Sequence, residues 1–95
     1  FGKKAKPVSP EEMAAVHHAL ESPIRRNMII LMNQGVLSVP EIASAGGKML
    51  DYHLHRLELA GLIELEGEKI VLTEAGVAYG GLVKKEKEMG GADKI

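Results

Sequence analysis

KMLDYHLHRLELAGLIELE, residues 48–66, reads as one amphipathic helix, a glycine stop and a strand. Leu50, His53, Leu54 and Leu57 recur at i, i+3, i+4 and i+7, which is one face of an α-helix. The opposite ridge carries Lys48, Asp51, Tyr52, His55 and Arg56, all polar or amphipathic. Gly61 supplies the left-handed residue at which helices commonly stop. Leu62, Ile63 and Leu65 then alternate with glutamates, as a half-buried strand does.

Working outward on the N-terminal side, Ser38-Val39-Pro40-Glu41 is a capping box that opens a short helix over 39–44, with Ile42 and Ala43 inward. Ala45-Gly46-Gly47 forms the turn into the central helix, and its glycines allow a sharp reversal. Ser22-Pro23 starts the helix before that, which runs to Gln34 and stops at Gly35. Ile24, Met28, Ile29, Leu31 and Met32 make it apolar over most of its circumference, so it is predicted to be the most buried helix. Arg25 and Arg26 sit at its start, where the helix dipole disfavours cations, so acidic neighbours or a phosphate must hold them. Ser9-Pro10-Glu11-Glu12 starts a first helix in which Met13, Val16, His17 and Leu20 share a face. Residues 1–8, with three lysines and no acid, read as a flexible basic arm.

On the C-terminal side, the apolar runs 62–65 and 70–72 flank Glu66-Gly67-Glu68-Lys69, which predicts a β-hairpin. Thr73 caps a last helix whose apolar positions are Val77, Ala78, Leu82 and Val83. Gly76, Gly80 and Gly81 each weaken it by roughly 1 kcal/mol against Ala, while small residues let another helix approach closely. The charged, glycine-containing end from Lys84 is expected to fray, which sets domain limits of 9–88 with a tail over 89–95.

The 95 residues make one small domain, 45% hydrophobic but with Phe1, Tyr52 and Tyr79 as the only aromatics. Its core must therefore be aliphatic, and a chain this short gains from a partner copy. Twelve basic and thirteen acidic side chains give a net charge of −1, so any affinity for nucleic acid depends on where the cations stand. The absence of cysteine excludes disulfides and thiolate metal sites and suits a cytoplasmic protein. No apolar run approaches the ~18 residues of a membrane span. The chain opens on Phe1 rather than Met, as a piece of a longer protein would.

The four histidines do not pair as chelates. His17 and His18 are adjacent, and His53 and His55 lie about 200° apart around a helix. No metal and no cofactor is expected. The sequence offers no nucleophile with a base, no phosphate-binding glycine loop and no paired carboxylates, so no enzyme is expected either.

Four short motifs in order carry a resemblance. Ala19-Leu20-Glu21-Ser22-Pro23-Ile24-Arg25, Leu37-Ser38-Val39-Pro40-Glu41-Ile42-Ala43, Tyr52-His53-Leu54 with Leu57 and Ala60-Gly61-Leu62-Ile63, and Leu72-Thr73-Glu74-Ala75-Gly76 resemble the winged helix-turn-helix regulators of the ArsR/MarR type. The resemblance spans roughly residues 16–78. It implies an α+β winged helix-turn-helix with a two-stranded hairpin wing and a C-terminal helix. It also implies transcription regulation by a homodimer on duplex DNA, with the helix over about 48–60 in the major groove. DNA contacts are then expected from Lys48, Met49, Asp51, Tyr52, His55 and Arg56, with Arg25, Arg26 and Lys69 nearby. The dimer interface is expected from Val16, His17, Leu20, Val77, Ala78 and Leu82. Two departures favour an alternative, a winged helix that binds proteins: the helix-turn-helix is about three residues short, and the hairpin tip sets Glu66 and Glu68 against Lys69.

Overall fold

The computed structural model describes residues 9–93, with side chains over 9–88. The expected basic arm, 1–8, lies outside the described residues. In chain order the elements are α1 (Pro10–Ala19), α2 (Pro23–Asn33), α3 (Val39–Gly46), a 3-10 turn (Gly47–Met49), α4 (Leu50–Leu59), β1 (Ile63–Glu66), β2 (Lys69–Leu72) and α5 (Glu74–Asp93). The chain is thus α+β, with β1 and β2 paired antiparallel from Ile63↔Leu72 to Glu66↔Lys69.

One device starts the first three helices. Ser9, Ser22 and Ser38 each accept at Oγ from the backbone N–H three residues on, at 3.1, 3.3 and 3.3 Å, with proline in the first turn. Each such cap contributes about 1 kcal/mol. Thr73 does the same for α5, accepting from Gly76 N–H at 3.0 Å, and its hydroxyl also donates to Gly61 C=O at 2.6 Å. That second bond ties the start of α5 to the end of α4.

The core is aliphatic. Met28, Ile29 and Met32 of α2 meet Val16 and Ala19 of α1, Ile42 of α3, Leu54 and Leu57 of α4, Leu62, Ile63 and Ile70 around the hairpin, and Ala75 of α5. α2 is the central helix, packed on α3, α4 and α5. The hairpin is held along both outer edges. Ile70 N–H donates to Leu37 C=O at 2.9 Å and Val39 N–H to Glu68 C=O at 2.8 Å, so the segment before α3 lies along the outer edge of β2. Leu65 N–H donates to Glu58 Oε2 of α4 at 3.0 Å.

Several expectations need correcting. The buried side of α1 is Val16 and Ala19, while Met13 is 42% exposed. On α2, Ile24 is 43% exposed while Ile30 is buried, because the buried face runs through Arg25, Met28, Ile29 and Met32 and Ile24 lies to one side of it. α3 runs two residues beyond 44. The reversal falls on Gly47 alone, at φ +64, a conformation other residues reach only with strain. Beyond Lys84 the backbone stays helical to Asp93, through a KKEKE run of good helix formers.

Candidate nucleic-acid interface

α4 divides cleanly by face. His53, Leu54 and Leu57 are buried and Leu50 is half-buried, whereas Asp51, Tyr52, His55 and Leu59 point outward. Lys48 and Met49, expected on the helix, stand on the 3-10 turn just before it, both exposed. The exposed end of β2 adds Lys69, beside Glu66 and Glu68. Lys48, Met49, Asp51, Tyr52, His55 and Lys69 are therefore all solvent-facing. The surface they make is mixed: cations alternate with carboxylates, and Met49, Tyr52 and Leu59 are 54, 49 and 65% exposed.

The arginines are placed differently. Arg25 is buried, with Nε donating to Ala19 C=O, Nη2 to His18 C=O at 3.5 Å, and Nη1 to His53 Nδ1 at 3.0 Å. Arg26 Nη1 donates to Leu20 C=O at 2.8 Å and to Glu21 C=O at 2.9 Å. Among the described residues no acid pairs with these two cations at the start of α2. They are held by the carbonyls that end α1, the negative pole of a neighbouring helix. The expectation that Arg25 contacts DNA is corrected by its burial, and Arg26 is committed to the carbonyls of Leu20 and Glu21. Arg56 is half-buried along α1, its Nε sealed from solvent and without a hydrogen-bond partner among the described residues.

Arg25, Tyr52 and His53 form one cluster. The Tyr52 and His53 rings meet edge to face at 5.7 Å, and the Arg25 guanidinium lies 5.8 Å from the Tyr52 ring centre. A guanidinium only donates, so His53 Nδ1 must present its lone pair and the imidazole is neutral. Burial, then the Arg25 charge, lowers the His53 pKa from 6.5. Through this cluster the outward Tyr52 is set by a bond between α2 and α4 that nothing in the local sequence announces.

The residues expected at a dimer interface separate. Val16 is in the core and fully buried, which corrects its place at an interface. Val77 and Ala78 are half-buried on α5. His17, Leu20 and Leu82 instead line one groove of about 390 Å³ with Arg26, Tyr79 and Val83, and Leu82 is 53% exposed. A second groove, about 430 Å³, lies between α1 and α4 and was not anticipated. Its sequence signal is the pair Ala14-Ala15, too small to fill the space beside Arg56.

Among the described residues no three His, Asp or Glu side chains gather as metal ligands, and no helix is long and apolar enough to cross a membrane. No protein-family model, curated protein or solved structure matches the chain.

Proposed function

We propose that this chain is a winged helix-turn-helix of the ArsR/MarR regulator type, which binds duplex DNA with the outward face of α4 and the tip of the β1–β2 hairpin. What carries the proposal is one exposed face: Tyr52 and His55 stand outward on the second helix of a helix–turn–helix pair, with Lys48 on the 3-10 turn that leads into it and Lys69 on the adjoining hairpin. Lys48 and Lys69 meet phosphates, while Tyr52, His55 and Met49 meet base edges or sugars. Asp51 accepts from a cytosine amine or is carried as a repulsive neighbour. The protein acts in transcription as a homodimer, one α4 per half-site, half-sites being about 34 Å apart. The groove bearing exposed Leu82 supports that pairing.

With the arginines withdrawn, the α4 face and hairpin tip offer two lysines per copy to the backbone among the described residues. The logarithm of affinity for a mixed-sequence duplex should then fall with that of salt at a slope of about −2 per copy, or about −4 for a dimer. Fluorescence anisotropy between about 50 and 200 mM salt measures it. Lys48→Ala should flatten the slope by about one unit per copy, and Arg25→Met should leave it unchanged. No binding at the lowest salt refutes the DNA proposal.

A second reading has its own observation. All three arginines are drawn into the structure, while Met49, Tyr52 and Leu59 present apolar surface along α4. Depletion of charge with aromatic and Met enrichment marks protein interfaces, so absent DNA binding makes the chain a protein-interaction winged helix.

A further inference from the structure

His53 is a buried titratable side chain whose one hydrogen bond among the described residues is to a permanent cation. Arg25 Nη1 donates to its Nδ1 at 3.0 Å, so the neutral ring carries its single proton on Nε2. Arg25 cannot lose a proton, and its Nε and Nη2 hold it to the carbonyls of Ala19 and His18 at the end of α1. Of the two partners, His53 alone can change charge near neutral pH. A proton on Nδ1 turns the acceptor into a donor and sets imidazolium against guanidinium at hydrogen-bond distance.

No carboxylate is placed to absorb that clash. α4 packs on α1, α2, α3 and β1. α2 turns Arg25 to His53, while Arg26 is bonded to the carbonyls of Leu20 and Glu21. α1 brings Glu11 and His18 to the Arg56 side of α4. α3 carries Glu41, which is exposed, and β1 carries Glu64 and Glu66. On α4 itself, Glu58 accepts from Leu65 N–H, and Asp51 and His55 point outward. The only ion pair among the described residues is His18 with Glu21, so none of these acids reaches Arg25 or His53.

We propose that His53 is an acid-released latch between α2 and α4: protonation at Nδ1 breaks the bond to Arg25, frees Tyr52 and so changes the outward face of α4. Because Arg25 stays anchored to the end of α1, the side that yields is α4. Tyr52 moves with it, since its ring centre lies 5.7 Å from that of His53 and 5.8 Å from the Arg25 guanidinium. Burial, then the Arg25 charge, holds the His53 pKa below 6.5. The latch is therefore shut at neutral pH and opens as pH falls through that lowered value. It stands apart from the DNA proposal, since it is read in the free protein.

NMR of the whole chain between about pH 7.5 and 5 tests this, followed at the His53 imidazole nitrogens, Arg25 Nε–H and the Tyr52 ring. At the neutral end Nε2 should carry the only ring proton. On acidification the three groups should shift together with one midpoint below 6.5, while the methyl signals of Ile29 and Ile42 in the core stay in place. His53→Asn offers Arg25 an oxygen that does not take up the proton, and it should abolish the joint shift of Arg25 and Tyr52. Three results overturn the latch. One is a His53 ring that carries its proton on Nδ1 at the neutral end. Another is a joint shift that persists in His53→Asn. The third is a His53 that titrates with Arg25 and Tyr52 unmoved, or only as the core signals vanish. The first and third are read in the unsubstituted chain, so the outcome does not depend on His53→Asn folding.

Discussion

Three glycines on α5 separate propensity from packing. By helix propensity alone, Gly76→Ala, Gly80→Ala and Gly81→Ala should each stabilise the protein by about 1 kcal/mol. Their surroundings divide them. A Cβ on Gly81 meets nothing within 4 Å. A Cβ on Gly80 would stand 1.9 Å from Asn33 Nδ2, which donates to Ile29 C=O at 2.8 Å and to Gly76 C=O at 3.2 Å. A Cβ on Gly76 would stand 2.0 Å from the Leu62 carbonyl oxygen, a backbone atom that cannot swing aside. Gly81→Ala should therefore keep the full gain of about 1 kcal/mol. In Gly80→Ala the amide is displaced from two hydrogen bonds of about 1 kcal/mol each, leaving a net loss of about 1 kcal/mol after the propensity gain. In Gly76→Ala, α5 must lift off Leu62, the residue before β1; overpacking of up to about 3 kcal/mol set against the propensity gain leaves a net loss of about 2 kcal/mol. At roughly 4–8 °C per kcal/mol for a domain this size, the melting temperatures should spread over more than about 10 °C, with Gly81→Ala highest and Gly76→Ala lowest. Circular dichroism melts and urea titrations measure the order. If Gly76→Ala melts with or above Gly81→Ala, the close approach of α5 to Leu62 is wrong.

Two further outcomes concern the Arg25–His53 bond. The folded His53 pKa lies below the unfolded value of 6.5, so between the two the unfolded chain binds the extra proton. Its contribution to stability is whole above 6.5, declines as pH drops below that value, and levels off once pH passes the folded pKa. Urea midpoints from about pH 7.5 to 5 should show this fall, and His53→Asn, which still offers an acceptor to Arg25, should lessen it; an unchanged pH dependence in the variant would count against a neutral, Arg-bonded His53. Arg25→Met keeps bulk but strands Ala19 C=O and His53 Nδ1. It should cost roughly 2–3 kcal/mol in urea unfolding, as loss of buried charge-assisted bonds does, and a cost below about 0.5 kcal/mol would mean the guanidinium is solvated rather than holding α1.

Local patterns in the sequence specified much of this architecture. The serine caps before Glu12, Arg25 and Glu41, the buried stripe His53-Leu54-Leu57 and the hairpin around Gly67 all follow from spacing within a few residues. What stayed hidden depends on partners far along the chain. Arg25 and His53 are 28 residues apart, so a basic residue at a helix start looked available for phosphate when it was already engaged. Arg56 sits at the edge of the exposed arc of α4, and only the placement of α1 reveals that its Nε is covered. Likewise, periodicity put Met13 on the face of Val16 because it cannot say how far that face of an isolated helix meets the core; α1 buries Val16 and Ala19 and leaves Met13 exposed. The three glycines of α5 are alike in sequence and unlike in surroundings.

α5 behaves mechanically as a beam clamped at one end. Its grip on the body runs from Thr73 to Val83, the last buried side chain among those described, which end at residue 88. Past Val83 the backbone helix continues to Asp93, an overhang of about 15 Å at 1.5 Å per residue. A tilt of about 10° at the clamp displaces the free end by nearly 3 Å, following that same rise per residue. Any second protein body that seats against the overhang would have its orientation dictated by the fit of two hydrogen atoms, on Gly76 and Gly80, against the neighbouring chain.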